Sequence, residues 1–446
     1  METGAPPKHQ GLANAPLRFA GRQILLLRDV GSVPSRAVTR FLASLLLLGV
    51  ALPWAARAEV KLGNEVLAVE QFKVLQGKRI GLITNPSGVN RHLDATVDVL
   101  RAAPGVKLAA LFGPEHGIYG DVPAGDKVDN RVDARTGLPV YSLYGKTHKP
   151  TPEMLQGLGA LVYDLQDTGC RSYTFIGTVG VAMEACGEAG LEFIVLDRPD
   201  PLGGERIEGP MLEEQFRSLV SRWNVPYVYG LTCGELARMI NGEGWIKRPC
   251  RLTVVPMKGW KRSMVWQDTG LPWVPTSPHV PHGGSSLFLV ATGILGELES
   301  VSTGIGYTLP FECVAAPGLD PHKLAEALNG YRLRGVEFRP ITYKPYYFTF
   351  SNQVVSGVQI YLTEPDRAPL TAINFYALEA LKKVGNRDLF AEAVKAKRGF
   401  GMFDKVNGTD ATRKALQAGT PASEIVASWK AGEEAFQKTR KKYLLY

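Results

Sequence analysis

The sequence lacks the spacing signatures of several large enzyme classes. Its first predicted strand is not followed by a Gly-x-Gly-x-x-Gly turn, and the chain contains no phosphate loop, no Gly-x-Ser-x-Gly elbow and no His-Glu-x-x-His pair. These absences disfavour dinucleotide binding, serine hydrolase chemistry and zinc peptidase chemistry. No cofactor is predicted.

Cysteines are also scarce, and none of them forms a Cys-x-x-Cys pair. The five cysteines are widely spaced, at Cys170, Cys186, Cys233, Cys250 and Cys313. This spacing gives little support to zinc or thioredoxin-like chemistry, although one or two disulfides are compatible with an oxidising compartment. Basic residues are not clustered among aromatic ones, so we expect no nucleic-acid partner.

The longest apolar run is too short to span a membrane comfortably, because a span needs about twenty residues. It lies in the segment from Arg36 to Ala58, where basic residues precede an apolar core that ends in Ala-Arg-Ala. This layout predicts a leader and signal peptide over residues 1–58, with cleavage after Ala58. An uncleaved anchor or a buried helix is the alternative. After cleavage we expect an exported protein, periplasmic or secreted, without a stable membrane span.

Removal of residues 1–58 would also change the charge balance. Those residues hold seven of the 51 basic side chains and two of the 43 acidic ones. The rest of the chain then carries 44 basic and 41 acidic side chains, so the formal net charge falls from +8 to +3. The basic pI therefore comes partly from the leader.

Short, continuously apolar runs alternate with helical segments in the first half of the remaining chain. The runs cover residues 79–85, 106–113, 138–145, 160–167 and 191–197. Such runs are typical of parallel strands that helices cover on both faces, and a helix-length segment before Gly190 fits between the last two. We predict the α/β class, with a Rossmann-like doubly wound parallel sheet in an N-terminal domain of residues 59–288.

The pattern changes after a proline-rich stretch. Residues 271–286 read LPWVPTSPHVPHGGSS, and prolines three residues apart favour an extended segment or a domain boundary. Trp273, His279 and His282 are candidates for lining a cleft there. From residue 289 to 446 we predict a second, smaller α+β C-terminal domain, with extended segments around 335–363 and a last helix that begins at Thr420 and Pro421 and runs to about Lys438.

Polar side chains follow each of the five predicted strands. Because ligands of open parallel sheets bind outside the carboxyl ends of the strands, these side chains are candidates for a site. They are Asn85, Ser87, Glu115, His116, Tyr144, Asp164, Gln166, Asp167, Arg171, Asp197 and Arg198. Any one of them alone would more often be an ordinary, hydrogen-bonded loop residue.

The stretch LFGPEHGIYG, residues 111–120, carries the most informative pair, Glu115 and His116. Cleavage of a glycosidic bond needs a carboxylic acid that protonates the leaving oxygen, and usually a second carboxylate. Glu115 with the aspartates at neighbouring strand ends supplies these groups. A metal site built from Glu115, His116, Asp164 and Asp167 is the rival interpretation, but adjacent Glu and His residues would rarely aim at one ion.

Several long phrases resemble the exo-β-N-acetylmuramidase NamZ family. They include GLITNPSGV (81–89), LFGPEHGIYGD (111–121), VYDLQDTGCRSYTF (162–175), VLDRPDPLGG (195–204) and TGLPWVPTSP (269–278), and the likeness runs from about residue 60 to the C-terminus. The resemblance implies a Rossmann-like domain, a smaller C-terminal domain, an active site at their junction, and release of N-acetylmuramic acid from non-reducing ends of peptidoglycan fragments. Muramic-acid glycans derived from peptidoglycan are then the expected partners.

Within that resemblance, Glu115 corresponds to the glutamate taken as catalytic. We interpret His116 as a residue that orients this acid, and Asp164 and Asp167 as groups that orient substrate or supply the second carboxylate. Arg171 is a candidate for binding the lactyl carboxylate of muramic acid, because a guanidinium pairs with a carboxylate bidentately; a salt bridge to Asp167 is the alternative. The remaining candidates for substrate binding are Asn85, Tyr144, Gln166, Tyr173, Asp197 and Arg198. Participation of the substrate's acetamido group in place of a protein nucleophile is equally open.

The chain departs from the family pattern in its C-terminal part. Family members tend to read Ser-Glu-Gly-Arg-Gly-Thr before Pro-Phe-Glu, whereas this chain has Thr303 and Ile305 at the acidic and basic positions. If those charges help turnover, the alternative function is a non-catalytic protein of the same fold that binds cell-wall glycans.

Overall fold

The computed structural model describes residues 59–446, and the predicted leader and signal peptide lie outside the described residues. The strands form a seven-stranded sheet and a three-stranded sheet. The larger sheet contains β1 (Arg79–Thr84), β2 (Lys107–Gly113), β3 (Arg131–Val132), β4 (Pro139–Ser142), β5 (Ala160–Asp164), β6 (Glu192–Leu196) and β7 (Arg251–Val255).

The larger sheet has the strand order β3-β4-β2-β1-β5-β6-β7. All neighbouring strands are parallel except the short edge pair of β3 and β4. The chain builds outward from β1 in one direction through β2 and β4, then returns to the other side of β1 with β5. The point between β1 and β5 is therefore the topological switch point, where such sheets open a crevice for ligands.

Helices cover both faces of this sheet. They are α1 (Gly63–Val69), α2 (Thr96–Ala102), α3 (Pro152–Leu155), α4 (Phe175–Ala189) and α5 (Cys233–Gly242), and a short helix, α6 (Trp266–Thr269), follows β7 in the chain. On one face, Leu67 of α1 and Leu100 of α2 pack with Leu82 of β1. On the other face, Met183 of α4 packs with Tyr163 of β5. Burial of both faces explains why the strands are continuously apolar.

The C-terminal part forms a smaller α+β domain. Its antiparallel sheet has the order β8-β10-β9. Its elements are α7 (Ser285–Gly296), β8 (Cys313–Ala316), α8 (Pro321–Gly330), β9 (Val336–Tyr343), β10 (Val355–Leu362), α9 (Leu370–Gly385), α10 (Leu389–Lys395), α11 (Gly401–Asn407), α12 (Ala411–Ala418), α13 (Ala422–Ser428) and α14 (Lys430–Arg440). The predicted domain boundary after residue 288 falls inside α7, whose backbone is hydrogen-bonded to Asn374 of α9.

The predicted fold class is confirmed, and each of the five predicted strands is present. The helix before Gly190 is also present, and Gly190 adopts the left-handed conformation of a helix C-cap. The sequence did not reveal β7, which is an edge strand and only partly buried. The predicted last helix is wrong in detail, because Pro421 occupies the N-cap position and α13 ends at Ser428 before the buried Trp429.

Two further observations bear on the expectations from composition. All five cysteines are buried and carry free thiols. Within residues 59–446, no helix combines the length and apolar character needed to cross a bilayer.

Candidate active site at the strand ends

Glu115 lies in the loop that follows β2. The chain turns sharply there, because His116 and Gly117 have φ angles of 68° and 74°. A left-handed conformation is uncommon for a residue other than glycine and often marks a functional site. The His116 ring is buried, and its Nδ1 atom lies 2.8 Å from the carbonyl oxygen of Val122. The turn leaves the Glu115 side chain only partly buried.

Two hydrogen bonds fix the Glu115 carboxyl group. The hydroxyl of Thr174 donates to Oε2 at 2.7 Å, and the amide of Gly125 donates to Oε1 at 3.0 Å. Tyr144 also contacts this carboxyl group: burial, followed by the charge and hydrogen bonding of Glu115, raises the pKa of Tyr144 far above its usual value. Tyr144 therefore stays protonated and is available as a donor.

The charges of Glu115 and of a second, deeper carboxyl group, Asp167, both act on Tyr173. Burial raises the pKa of Tyr173, and the charges of Asp167 and Glu115 both add to this effect. Asp167 is buried, with Oδ1 accepting hydrogen bonds from the amide of Gly169 and the hydroxyl of Tyr229. Its Oδ2 atom is buried without a partner in the described residues, and burial raises its pKa to about 7.

Asn85 and Gln166 position the proline-rich segment over the switch point. The amide nitrogen of Asn85 donates to the carbonyl of Thr276 at 2.8 Å, and the hydroxyl of Thr276 donates to the carbonyl of Gln166. The Oδ1 atom of Asn85 accepts hydrogen bonds from the amide and hydroxyl of Ser87. Asn85 and Gln166 are predicted to bind substrate, but both are buried and form hydrogen bonds within the protein.

Asp164 and Arg198 form a buried ion pair at the ends of β5 and β6. Their side chains are 1% and 4% exposed. The Nε atom of Arg198 donates to Oδ1 of Asp164, while Thr96 and Asn64 donate to Oδ2. Arg198 also donates to the carbonyl of Val89. Their positions therefore do not support the predicted catalytic role of Asp164 or substrate binding by Arg198.

Asp197 is likewise committed to the protein interior. It accepts hydrogen bonds from the hydroxyl of Thr232 and the amide of Gly234 at the start of α5, and from the hydroxyl of the C-terminal residue Tyr446. Burial raises the pKa of Asp197 to about 6, against the lowering effect of these donors. The aspartate anchors a helix and the chain terminus, and its predicted role in substrate binding is not supported by this position.

Arg171 does not lie free in the cleft and does not pair with Asp167. Its side chain is fully buried, and all five N–H donors are used. The acceptors are the hydroxyl of Ser221 and the carbonyls of Pro210, Val225, Val406 and Asn407. Burial lowers its pKa to about 10. This guanidinium therefore has no free donor for the lactyl carboxylate of a substrate or for Asp167. Its hydrogen bonds instead connect the sheet domain to the end of α11.

The smaller domain contacts the proline-rich segment through the rings of Tyr347 and His279. His279 of the proline-rich segment stacks on Tyr347, with ring centroids 5.9 Å apart and Nε2 3.2 Å from the tyrosine hydroxyl. Burial, and after it the neighbouring His116, lower the pKa of His279. Trp273 instead packs edge-to-face on Trp266 and donates to the carbonyl of Val280, so it stabilises the segment.

The segment that departs from the family pattern borders the same region. The backbone carbonyl of Gly306 accepts a hydrogen bond from the amide of Tyr346 at 2.7 Å, next to Tyr347. Glu312 lies 3.9 Å from His282. Thr303 is buried and Ile305 is partly buried. Thr303 and Ile305 are therefore close in sequence to Gly306 and Glu312, which contact the β9–β10 loop and the proline-rich segment.

Other features of the described residues do not compete as an active site. No group of three or more His, Cys, Asp or Glu side chains within residues 59–446 is arranged to hold a metal ion. A cavity of about 600 Å³ lies between residues 202–208 and 366–369, but none of the predicted site residues lines it. Its arginines are already paired, Arg206 with Glu208 and Arg262 with Glu235.

The structure adds contacts that the sequence did not indicate. Thr174, the Gly125 amide and Tyr347 complete the surroundings of Glu115 and His279. Thr174 occupies the N-cap position of α4 but makes no capping hydrogen bond with its side chain. Only its place beside Tyr173 in a family phrase could have suggested Thr174, because it lies 59 residues from Glu115 in sequence.

Comparison with known proteins identifies the family of the chain. The family model described as "Exo-beta-N-acetylmuramidase NamZ, N-terminal" matches residues 80–283, and the corresponding C-terminal model matches residues 288–446. A curated relative from Bacillus subtilis strain 168, named peptidoglycan beta-N-acetylmuramidase NamZ, is 44% identical over 392 residues, which are 88% of this chain and 92% of the relative.

Two solved structures from Bacteroides fragilis, both described as DUF1343 family proteins, share the fold. The first is 48% identical, with a TM-score of 0.82 over 87% of this chain and 100% of the other. The second is 28% identical, with a TM-score of 0.69 over 87% of this chain and 99% of the other. The matched models and relatives together cover nearly all of residues 80–446, and the chain belongs to the exo-β-N-acetylmuramidase NamZ family.

Proposed function

We propose that this protein is an exo-acting glycosidase that releases N-acetylmuramic acid from non-reducing ends of peptidoglycan fragments, with Glu115 as the general acid. The observation that carries the proposal is the environment of Glu115. Among the four carboxyl groups predicted for the site, Asp164, Asp167 and Asp197 are buried, whereas Glu115 is partly accessible. Family membership and the name of the Bacillus subtilis relative support the muramic-acid substrate.

The surroundings of Glu115 fit the task of a proton donor. Thr174 and the Gly125 amide hold the carboxyl group in one orientation, as a general acid needs when it must reach the glycosidic oxygen. Tyr144 supplies a third donor at the same carboxyl group. When the acid gives up its proton, these donors stabilise the carboxylate that forms.

Glycoside cleavage also needs a group that attacks the anomeric carbon or activates a water molecule. The candidates for this second catalytic role are Asp167 and the substrate itself. Asp167 is the carboxyl group whose charge acts on Tyr173 together with that of Glu115, but it is buried and its pKa is raised to about 7. We therefore infer that the substrate's own acetamido oxygen acts as nucleophile. Replacement of the 2-acetamido group by hydroxyl should abolish cleavage without abolishing binding. Cleavage of the hydroxyl analogue at an undiminished rate would contradict this mechanism.

A non-catalytic glycan-binding protein is the second candidate, because Thr303 and Ile305 replace charged residues of the family beside the cleft rim. The two candidates differ in product formation. Wild-type protein and Glu115→Gln would be incubated with a disaccharide of N-acetylmuramic acid linked to N-acetylglucosamine. Free N-acetylmuramic acid from wild type alone supports the enzyme. Equal absence of product from both, with retained binding of the sugar, supports the binding protein.

We also propose that the protein is exported, since peptidoglycan lies outside the cytoplasmic membrane and residues 36–58 have the layout of a signal peptide. Expression with and without residues 36–58, followed by fractionation, tests this. Secretion of both forms to the same extent, or of neither, would contradict it.

A further inference from the structure

The loop between β9 and β10 displays three consecutive aromatic side chains to solvent. Tyr346, Tyr347 and Phe348 are 70%, 53% and 58% exposed. Single exposed apolar side chains are ordinary, but a contiguous aromatic patch on a soluble protein commonly marks a binding surface.

The backbone conformation and internal hydrogen bonds of this loop fix the positions of the three aromatic residues. Phe348, Phe350 and Asn352 adopt left-handed conformations, with φ angles of 68°, 60° and 61°. Such angles are unfavourable for bulky residues, so the surrounding structure must maintain them. The amide of Asn352 donates to the carbonyl of Pro345, and the hydroxyl of Ser351 donates to the carbonyl of Tyr346. These bonds close the loop on itself.

Tyrosine rings elsewhere in the smaller domain pack against the loop. Tyr307 stacks on Tyr343, with centroids 4.6 Å apart, and lies 6.4 Å from the ring of Tyr346. A side chain at Gly306 would collide with the backbone of Tyr347, and Gly306 has a φ angle of 84°. The loop and the segment around Gly306 therefore require one another.

The same loop contacts the proline-rich segment near the candidate active site. Tyr347 stacks on His279, and His279 is close enough to His116 for the two rings to interact electrostatically. His116 directly follows Glu115 in the chain. Tyr346 and Phe348 are the chain neighbours of Tyr347, and both are exposed beside its contact with His279.

We propose that Tyr346, Tyr347 and Phe348 form a platform that binds sugar rings on the leaving-group side of the scissile bond. This inference rests on the proposed function. An exo-acting enzyme removes the terminal sugar, so the rest of the glycan must extend out of the cleft past its rim. Pyranose rings present flat C–H surfaces that pack on aromatic faces, while the tyrosine hydroxyls can bond to sugar hydroxyls. An uncharged aromatic patch fits that occupant.

The test compares substrates with and without sugars on the leaving-group side. The variant Tyr346→Ala/Phe348→Ala would be assayed on methyl β-N-acetylmuramide and on a tetrasaccharide of alternating N-acetylmuramic acid and N-acetylglucosamine. Tyr361→Ala is the matched control, since Tyr361 is a 42% exposed tyrosine on β10 outside the loop. We expect kcat/KM on the tetrasaccharide to fall about tenfold in the double variant, with no change on the methyl glycoside.

An equal loss on both substrates, or no loss on either, would overturn the platform. A change in sedimentation behaviour without a change toward the tetrasaccharide would indicate an interface between copies of the chain, and would also overturn it. Titration of the tetrasaccharide into Glu115→Gln protein, with and without the double change, gives a readout that does not need turnover. If wild type cleaves nothing yet the double change weakens tetrasaccharide binding, the proposed enzymatic function fails while the platform stands.

Discussion

Glu115 and Asp164 both follow strands of the same parallel sheet, yet their surroundings differ. Glu115 is partly accessible, and its hydrogen-bond partners are a hydroxyl and a backbone amide. Asp164 is 1% exposed and is paired with the buried Arg198. The first arrangement leaves a carboxyl group able to meet a substrate, and the second uses one to hold the sheet together.

The difference comes from the chain that follows each strand. Glu115 stands two residues beyond the end of β2, and the left-handed turn at His116 and Gly117 carries it out of the sheet. Asp164 is the last residue of β5 itself, and its side chain points to Thr96 and Asn64 beside the helices of one face. Position at a strand end places a carboxylate near a site, and the local backbone decides whether it reaches one.

The largest expected change in stability comes from breaking the buried ion pair. Arg198→Met leaves Asp164 charged, buried and without its cation, which should lower the free energy of unfolding by about 3–5 kcal/mol. Lys323→Met is the control, because Lys323 and Asp320 form a pair that is 71% and 47% exposed. Its loss should cost less than about 1 kcal/mol. Denaturant unfolding measures both, and equal effects would contradict the assigned structural role.

A smaller effect, on activity alone, is expected at the partner of Glu115. Thr174→Val preserves shape but removes the hydroxyl that donates to Oε2, and a hydrogen bond to a charged group is worth about 1.5–3 kcal/mol. We expect kcat to fall at least about tenfold with little change in KM or melting temperature. Thr178→Val, one turn further along α4, is the matched control. An equal loss in both variants would show that the hydroxyl of Thr174 does not position the acid.

A change in how stability depends on pH, rather than in activity, is expected at Asp200, a buried carboxyl group whose pKa responds to the charge of Asp167. Burial raises its pKa to about 8, and the charge of Asp167 adds to the shift. The folded protein thus keeps a proton that the unfolded chain releases near pH 4, so this group's stabilising contribution is lost as pH rises from about 4 to about 8. Asp200→Asn should flatten that decline, with Asp167 retaining part of it. Parallel pH–stability curves for wild type and variant would refute the assignment.

Much of the fold could be predicted from sequence because the strands of a doubly wound sheet are continuously apolar. The edge strand β7 could not be predicted in this way, since its sequence RLTVV is only partly buried and does not form a continuously apolar run. The predicted last helix is two helices in the structure, Ala422–Ser428 and Lys430–Arg440, and helical periodicity gives no sign of the interruption at Trp429, which packs on Phe375.

The candidate site was predictable in location but not in the use of each side chain. The chain beyond the ends of β2, β4 and β5 does bring Glu115, Tyr144, Tyr173 and Asp167 into one region. Arg171 is predicted to bind the lactyl carboxylate because a guanidinium pairs well with a carboxylate. In the structure its five N–H groups donate instead to four backbone carbonyls and a hydroxyl. Those acceptors come from residues up to 236 positions away, so local sequence carried no sign of them.

The role of Glu115 as proton donor is tested most directly by the dependence of Glu115→Gln on the leaving group. N-acetylglucosamine needs a proton to depart, whereas 2,4-dinitrophenolate departs without one. We predict that Glu115→Gln loses roughly 10²- to 10⁴-fold in kcat/KM on the disaccharide and remains close to wild type on 2,4-dinitrophenyl β-N-acetylmuramide. An equally large loss on both substrates would contradict the account, because it would assign Glu115 a role other than protonation of the leaving oxygen.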